Sequence, residues 1–350
     1  MNLLVDFKYN LCMNLRREFM IRIALDAMSG DFAPDELVKG AMLAVDIFDD
    51  IHLELFGDEE RINQLLTIKS DRISVVHTTE VIEGDDEPTT AVRRKKDSSM
   101  VRAARSVKDG TNQAMVTAGN TGAALTAAIA TVGRIKGVKR PGLAPAFPTL
   151  TPGNKPVILL DAGANVDLDP MHLHQFAIIG SVYARDVMGI SNPRVGLLNN
   201  GSEETKGNKQ TKETFQLLKE EESINFVGNI EPTQLLTGDC DVLVADGFTG
   251  NIAIKTMEGT LKNMMKFIKS TLSEGNLKTK IGGLLIKDAL ADAVGGLGEH
   301  QIGGAVFLGI DAPIIKGHGN SNDVAILNAI RQARTAVEND FVKKTRDYFN

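Results

Sequence analysis

Two stretches of the chain carry a glycine-threonine turn whose residue types could hold an anion. Residues 119–122 read Gly-Asn-Thr-Gly and residues 246–251 read Asp-Gly-Phe-Thr-Gly-Asn, and each stretch follows a short apolar run and precedes a helical pattern. Backbone N–H groups at a helix start attract anions, and Thr and Asn side chains add donors without adding charge. The sequence therefore predicts that both turns face one cleft and hold opposite parts of one anionic transition state. The candidate residues are Gly119, Asn120, Thr121, Gly122, Asp246, Gly247, Thr249, Gly250 and Asn251.

Four other loops share this polar, glycine-rich composition and also follow apolar runs. They span residues 26–31, 161–167, 199–208 and 316–323. In an open α/β sheet, ligands bind beyond the carboxyl ends of the strands, so such loops are expected to line one site. The alternative for each carboxylate is a purely structural role as the cap of a turn or helix. The candidates added by these loops and by the segment after residue 251 are Asp26, Asp161, Asn165, Lys255, Lys316, His318 and Ser321.

Short apolar runs alternate with helical patterns along most of the chain. Runs rich in Val and Ile and bounded by Gly, Asp or Asn are typical of parallel strands that are covered on both faces. The alternation predicts an α/β fold, a three-layer, doubly wound and mostly parallel sheet. The expected strands are 21–25, 52–56, 73–76, 114–117, 157–160, 195–198 and 242–245. The expected helices are 34–45, 98–108, 121–135, 170–187, 209–220 and a long one from Ser321 to about Tyr348.

The sequence predicts a short N-terminal extension followed by one large domain. Residues 1–19 are expected to be a poorly ordered extension, with a short docked helix as the alternative, and residues 20–350 form the α/β domain. Within it, residues 252–292 show no strand pattern and predict a helical tip, two helices joined near 273–276. No stretch approaches the roughly 18–20 apolar residues of a membrane span.

Composition and missing motifs exclude several classes of function. The net charge of −6 argues against a nucleic-acid binder, and the two cysteines in 350 residues suggest a reducing compartment. Walker A, Gly-x-Gly-x-x-Gly and Gly-x-Ser-x-Gly patterns are all absent. The six histidines give no metal-ligand spacing.

These loops, and the order in which they follow one another along the chain, resemble those of the bacterial phosphate acyltransferase family of phospholipid synthesis. The matching runs are IRIALDAMSGDFAP, AVRRKKDSSM, AGNTGA, GRIKGVKRP, DAGANVD, SNPRVGLLN, ETKGN, ADGFTGN and APIIKGHGNS, and they cover nearly everything from residue 20 onward. The resemblance implies transfer of a long-chain acyl group from acyl carrier protein to inorganic phosphate, giving an acyl phosphate for phosphatidic acid synthesis. It also implies a fold like that of isopropylmalate dehydrogenase and phosphotransacetylase, a homodimer, and no cofactor.

The first loop departs from the family pattern. The family commonly reads Asp-Ala-Met-Gly-Gly-Asp-His there, whereas this chain has Ser29 in place of the first Gly and Phe32 in place of the His. A histidine base at that position is therefore not expected, and His318 is the alternative acid, base or phosphate ligand. In the transfer, Asn120, Thr249, Asn251 and Asp246 are assigned to the reacting groups, and Lys316 or Lys255 to the phosphate charge.

Two basic clusters could dock the acidic carrier protein through complementary charge. The first cluster is Arg93, Arg94, Lys95 and Lys96, and the second is Arg134, Lys136, Lys139 and Arg140. The alternative for each cluster is a solvated helix face, and the sequence does not choose between the two clusters.

An apolar stripe in the helical tip has lysines beside it. Its key members are Met264, Ile268, Leu284 and Leu285. Core packing or a dimer interface is one interpretation, and contact with an anionic membrane is the other. The second interpretation predicts a cytoplasmic protein that is partly peripheral on the inner face of the cell membrane, where it could meet a downstream membrane acyltransferase.

Three competing functions stay open on sequence alone. The first is a phosphotransacetylase-like enzyme that uses acyl-CoA, which shares the chemistry and differs only in the donor. The second is a β-decarboxylating dehydrogenase, whose acidic cofactor and metal patterns are not found. The third is non-enzymatic, either a membrane-associated scaffold or a regulator that binds acyl carrier protein. Such a protein would not require six polar loops at one sheet edge.

Overall fold

The structure is a computed structural model that describes residues 20–151, 155–295 and 303–349. The expected extension at residues 1–19 lies outside the described residues. The chain packs as two compact units, one formed by Met1–Val138 with Gly303–Asn350 and the other by Lys139–Ile302. Helices and strands are numbered below in chain order, and each unit is described by itself.

The first unit is built around a mostly parallel sheet whose strands run in the order β3-β2-β1-β4-β12-β11. Only β11 is antiparallel to its neighbour β12. Strand β1 pairs in parallel with both β2 and β4, so the strand order reverses between β1 and β4. The strands are β1 Ile21–Asp26, β2 Ile51–Gly57, β3 Ile73–His77, β4 Ala114–Thr117, β11 Ala305–Leu308 and β12 Ile314–Lys316.

Helices cover this sheet because their apolar stripes match its buried faces. Leu37, Val38 and Val45 of α1 are buried, as are Ile326 and Ile330 of α10. A π-helical turn at Ala128–Val132 follows α5. The helices are α1 Asp35–Ile47, α2 Glu59–Leu65, α3 Pro88–Arg94, α4 Ser99–Lys108, α5 Thr121–Ala127, α10 Asp323–Glu338 and α11 Phe341–Phe349.

The second unit has its own sheet, in the order β6-β7-β10-β8-β9. Its strands are parallel except for β6, which runs antiparallel to β7. The buried helix α6 packs against the sheet, and a single 3-10 turn lies at Pro232–Gln234. The elements are β5 Gly142–Ala144, β6 Ala146–Pro148, β7 Pro156–Leu160, α6 Pro170–Asp186, β8 Arg194–Leu198, α7 Lys209–Glu220, β9 Asn225–Ile230, β10 Val242–Val244, α8 Gly247–Glu274 and α9 Leu277–Gly295.

Two long helices form the segment that the sequence analysis describes as a helical tip. Only Gly247, Gly250 and Ile254 of the 28 residues of α8 are buried, so most of this helix extends beyond the core of its unit. The break between α8 and α9 falls at Gly275 and Asn276. Gly283 of α9 packs against Leu272, where an added Cβ would lie 3.2 Å from the Leu272 Cβ.

The doubly wound α/β prediction is confirmed, and all seven expected strands are present. The prediction of one helix from Ser321 to Tyr348 is wrong. The chain forms two helices instead, because Asp340 adopts φ 52°, a left-handed conformation that ends a helix. The helix expected over 121–135 stops at Val132, because Gly133 takes φ 98°.

Candidate active site

Three loops of the first unit meet beyond the carboxyl ends of β1, β4 and β12. They are adjacent because β4 pairs in parallel with both β1 and β12. Backbone hydrogen bonds join them: Asp31 N–H donates to the Gly319 carbonyl at 2.7 Å, and Gly317 N–H donates to the Thr117 carbonyl at 2.8 Å. This place is the switch point of the sheet, where α/β folds bind ligands.

Asp26 ends β1 at the centre of these loops and is fully buried. Its Oδ2 accepts a hydrogen bond from Thr117 Oγ1 at 2.7 Å, whereas its Oδ1 has no partner among the described residues. Burial raises the pKa of Asp26, and the nearby Ser29, Ser99 and Thr117 hydroxyls oppose that rise. The hydroxyls of Ser29 and Ser99 lie close to the carboxylate without reaching hydrogen-bond geometry. The carboxylate therefore has unused capacity to accept a hydrogen bond.

Lys316 ends β12 beside this carboxylate. It is only 8% exposed, and its Nζ donates to the carbonyl of Gly317. Burial lowers the pKa of Lys316 to about 8, and the carboxylates of Asp26 and Asp31 partly offset the effect. A buried cation next to a partly satisfied carboxylate is an arrangement found in functional sites.

The loop after β12 presents His318 to solvent and keeps Ser321 buried. The N–H of Ser321 donates to the His318 carbonyl at 3.1 Å, which closes the loop. Phe32, which stands where the resembling family has a histidine, is exposed. His318 is thus an accessible imidazole on the same three-loop cluster as Lys316.

Asn120 in the first turn acts as a helix cap. Its Oδ1 accepts from Ala123 N–H at 2.9 Å, and its Nδ2 donates to the Gly84 carbonyl at 2.7 Å. Gly119 leaves room for Ser29, because a Cβ added to Gly119 would lie only 2.9 Å from the Ser29 Cβ. The N–H groups of Thr121 and Gly122 stand in the first helical turn, where the helix supplies no acceptor. In this turn the backbone, more than the Asn120 amide, is available to an anion.

Asp161 of the second unit follows β7 and is also buried, but four donors satisfy it. Its Oδ1 accepts from Leu143 N–H at 2.9 Å and Ala164 N–H at 3.0 Å. Its Oδ2 accepts from both the N–H and the Nδ2 of Asn165, each at 2.8 Å. Burial raises the pKa of Asp161, and these hydrogen bonds oppose the rise. Asn165 also donates to the Pro141 carbonyl at 2.7 Å, so this carboxylate-amide pair ties the loop together.

The second glycine-threonine turn begins α8 against that loop. Asp246 caps the helix, with Oδ1 accepting from Thr249 N–H at 2.9 Å and Oδ2 accepting from Thr249 Oγ1 at 2.8 Å. A Cβ added to Gly247 would lie 2.4 Å from the Asn165 carbonyl oxygen, and one added to Gly250 would lie 2.0 Å from that of Asp161. These two glycines are therefore required for close backbone packing. Thr249 and Asn251 are exposed.

Several predicted cations have partners. Lys255 pairs with Glu258 at 2.7 Å on the exposed side of α8, and Lys95 pairs with Asp86. Arg93, Arg94 and Lys96 of the first basic cluster are exposed. The second cluster is exposed too, and the boundary between the units divides it: Arg134 and Lys136 belong to the first unit, Lys139 and Arg140 to the second.

The apolar stripe of the helical pair is largely exposed. Leu284 is 72% exposed, Leu285 is 80% and Met264 is 58%, while Ile268 is half-buried. Packing in the core of a single chain therefore does not account for Met264, Leu284 and Leu285. Among the described helices none is long and apolar enough to cross a membrane.

The structure shows a cluster of predicted site residues within each unit. The first unit joins Asp26, Gly119, Lys316 and Ser321, and the second joins Asp161, Asn165, Gly247 and Gly250. That both turns face one cleft stays a prediction. Sequence reasoning missed Thr117 and Ser99, although a lone hydroxyl residue at the end of an apolar strand, as in AMVT, is a usable signal.

Comparisons with known proteins agree with this architecture. The family described as "Fatty acid synthesis protein" matches residues 21–344. Among solved structures, a phosphotransacetylase from Streptococcus pyogenes superimposes with a TM-score of 0.60 at 15% identity, covering 94% of this chain and 99% of that one. A branched-chain phosphotransacylase from Enterococcus faecalis V583 gives 0.58 at 15%, covering 91% and 100%. At such low identity these two show the fold alone.

Curated relatives are much more similar. A protein named phosphate acyltransferase from Streptococcus pneumoniae (strain JJA) is 48% identical over 95% of this chain and 99% of its own length. Another of that name from Streptococcus agalactiae serotype III (strain NEM316) is 50% identical over 94% and 99%. Fold and sequence thus define an α/β acyltransferase enzyme. The chain belongs to the phosphate acyltransferase family.

Proposed function

We propose that this enzyme transfers a long-chain acyl group from acyl-[acyl carrier protein] to inorganic phosphate and so supplies acyl phosphate for phosphatidic acid synthesis. Lys316 carries the proposal, because it is a buried cation at the switch point of the first unit, on a strand that pairs with β4, which leads into the turn at residues 119–122. The 48% identity to a named phosphate acyltransferase supports the same acceptor.

In the reaction, a phosphate oxygen attacks the thioester carbonyl, a C–O bond forms, and the C–S bond breaks. The carrier thiolate leaves and takes up a proton from solvent or from a site residue. Phosphate is already a competent nucleophile near neutral pH, so the enzyme gains most from positioning and from oxyanion donors. No metal is needed for this balance.

The residues of the first unit suit the phosphate. Lys316 supplies positive charge, and the N–H groups of Thr121 and Gly122 supply donors at a helix start. The carboxylate of Asp26 is fully buried and raises the pKa of Lys316, which favours the charged form of that lysine. His318 is exposed, and we assign it to hydrogen-bond phosphate or to protonate the leaving thiolate.

The residues of the second unit suit the acyl donor. Thr249 and Asn251 are exposed at the first turn of α8, where a carbonyl oxygen that gains charge finds donors. Asp246 and the glycines of the turn hold its backbone in place. In this assignment the two turns serve two reactants, and Asp161 with Asn165 acts as support.

Mass spectrometry tests the activity. The protein is mixed with phosphate and palmitoyl-acyl carrier protein, and in parallel with palmitoyl-CoA. Acyl phosphate and released carrier protein from the first mixture alone support the proposal, and product from the CoA mixture alone indicates a CoA-dependent phosphotransacylase. The absence of product from both mixtures refutes acyl transfer. Thr249→Val and its matched control on the exposed face of α8, Thr271→Val, separate a role of the turn from a general effect on the helix.

Carrier docking is assigned to the exposed residues of the two basic clusters. We expect Arg93→Glu with Arg94→Glu, or Lys136→Glu with Arg140→Glu, to slow turnover of the carrier-bound donor. Turnover of a small uncharged thioester should stay unchanged, and added salt should weaken only the carrier reaction. Equal losses with both donors would refute docking at the altered cluster.

We further propose that the protein is a cytoplasmic homodimer whose helical tip rests on anionic membrane. The exposed Met264, Leu284 and Leu285, with Lys266 and Lys269 nearby, support the membrane contact. Leu284→Glu with Leu285→Glu is expected to abolish co-sedimentation with phosphatidylglycerol vesicles. Ile47→Glu, at an exposed apolar position of the first unit, is the matched control. Unchanged co-sedimentation of the double variant would refute membrane contact by the helical tip. Analytical ultracentrifugation of the wild-type protein tests whether it is a dimer.

A further inference from the structure

A cavity of 860 Å³ opens in the second unit along the first half of α8. Its floor is the apolar core of that unit, because Leu198 and Leu235 belong to both the lining and the core cluster. Leu236, Ala253 and Met257 are partly buried against the same cluster and line the cavity walls. The volume lies within the ~300–1,000 Å³ that is typical of small-molecule sites.

The lining has a chemistry that selects for an uncharged, flexible chain. None of the twenty described residues that line the cavity is charged or aromatic. The lining therefore has no cation to hold a phosphate group and no ring to stack on a nucleotide base. Thr and Asn side chains line it together with Leu, Ile, Met and Ala. Such a surface suits hydrocarbon, which gains free energy simply by leaving water.

One wall of the cavity follows a single face of α8. The lining residues of this helix are Thr249, Ile252, Ala253, Thr256, Met257, Thr260 and Leu261, the i, i+3, i+4 spacing of one helical face. From Thr249 to Leu261 the helix rises about 18 Å. Carbon–carbon bonds of about 1.5 Å in a zigzag advance about 1.25 Å each, so about fourteen methylenes match this wall.

We propose that the cavity holds the hydrocarbon chain of a long-chain acyl group, with its carbonyl end beside Thr249 and its methyl end toward Leu261. The assignment rests on the proposed function, because it takes the turn that begins α8 as the place where the acyl group is transferred. Thr249 belongs to both the turn and the cavity lining. The face of α8 then acts as a ruler that sets the preferred chain length.

Bulky side chains at two positions along the cavity-facing side of α8 test the proposal. Thr256 lies about 10 Å along the helix from Thr249, and Thr260 about 16 Å. The variants are Thr256→Phe and Thr260→Phe. Asn263→Phe, on the same helix but outside the lining, is the matched control. Calorimetry measures the binding of octanoate, laurate and palmitate, and a parallel assay measures acyl phosphate formed from the three corresponding thioesters.

Chain length decides the expected results. Each methylene of the fatty acid that can no longer enter the cavity lowers the binding affinity about fourfold. Thr256→Phe is expected to weaken palmitate binding by at least about 100-fold and to leave octanoate binding unchanged. Thr260→Phe is expected to weaken palmitate by about tenfold or more and to leave laurate unchanged. The control variant retains the wild-type affinities for all three acids.

The two readouts separate the inference from the proposed function. If palmitate affinity is the same in Thr256→Phe and the wild type, or if octanoate and palmitate weaken equally, the cavity is not the acyl site. If the wild type makes no acyl phosphate but the variants still shift chain-length preference in binding, acyl transfer is refuted and the acyl site stands. Turnover with an unchanged chain-length profile in every variant supports the function and overturns the ruler.

Discussion

Asp26 and Asp161 occupy equivalent places in the two units and have opposite surroundings. Both are buried carboxylates at the carboxyl end of a parallel strand: Asp26 is the last residue of β1, and Asp161 directly follows β7. Asp161 accepts four hydrogen bonds from the loop around it. Asp26 accepts one, has an oxygen without a partner, and lies near a buried lysine. The same residue type at the same place in a fold can thus stabilise a loop or leave capacity for a ligand.

The number of hydrogen bonds distinguishes these two carboxylates more clearly than burial or pKa direction does. Burial raises the pKa of both groups, so a search for raised values would select both. The number of donors already satisfied is what distinguishes them, since a saturated carboxylate has nothing to offer a substrate. Four variants test this distinction, from the largest expected effect to the smallest.

Lys316→Met is expected to produce the largest effect, on catalysis. Loss of the buried cation should lower kcat/KM for phosphate roughly 10²–10³-fold, as removal of a preorganised electrostatic contact does. Stability should hold or rise, because a costly buried charge disappears. Steady-state kinetics at varied phosphate, beside thermal unfolding, measure both effects. Unchanged phosphate kinetics would mean that the first unit does not bind phosphate through Lys316.

Asp161→Ala should act on stability. It leaves four N–H donors without their acceptor, so the free energy of unfolding should fall by about 3 kcal/mol or more. Urea titration measures this loss. The comparison variant is Asp246→Ala, which removes a helix cap and should cost only about 1 kcal/mol. A stable Asp161→Ala protein with low activity would reverse the assignment and make Asp161 the functional group.

Thr117→Val removes the hydrogen bond that Thr117 Oγ1 donates to Asp26 and the one that it accepts from Gly119 N–H at 3.1 Å. The free energy of unfolding should fall by about 1–2 kcal/mol, and the pKa of Asp26 should rise further because less opposes its burial. In an Asp26→Asn background the same change should cost less, since the bond no longer involves a charge. Equal costs in both backgrounds would show that Thr117 does not act through the Asp26 carboxylate.

Asp26→Asn should have the smallest effect on stability, in the stabilising direction. Because the folded state raises the pKa of Asp26 above 3.8, the penalty for its charge sets in as pH rises above that value. The variant should gain about 1 kcal/mol at pH 7 and little at pH 4.

The pH profile of activity gives a second readout for Asp26→Asn. The carboxylate holds the pKa of Lys316 up toward about 8, so its removal should shift the alkaline decline of phosphate turnover to lower pH. Conversely, an Asp26→Asn enzyme that is less stable at pH 7 than the wild type would mean that the charge stabilises the fold.

The sequence predicts the strands better than it predicts the ends of helices. The seven expected strands are continuous Val- and Ile-rich runs, whose burial on both faces leaves a strong signal. The strand β9 carries a weak signal because it pairs at the sheet edge, is only partly buried, and contains Gly228 at φ 96°. The break at Asp340 depends on a backbone conformation that no apolar periodicity encodes.

The candidate site shows a similar limit. The helix caps Asn120 and Asp246 follow from residue type and position, since Asn and Asp before a helix favour that role. The need for Gly247 and Gly250 does not, because it arises from carbonyl oxygens of a loop more than eighty residues away in the chain. Likewise, Asp26 Oδ1 lacks a hydrogen-bond partner within the described part of the chain because of the way three loops pack around it. The number of donors near a carboxylate cannot be read from a single sequence.

The 28-residue helix α8 begins at the turn proposed for acyl transfer and continues into the apolar helical pair. A helix advances by about 100° per residue, so the angular phase of one end fixes that of the other. The number of residues between Ile254 and Met264 therefore sets the direction of the apolar stripe, whatever the side chains between them are. One inserted residue would lengthen the rod by only about 1.5 Å but would turn the apolar stripe by more than a quarter of a revolution away from the direction set at the turn.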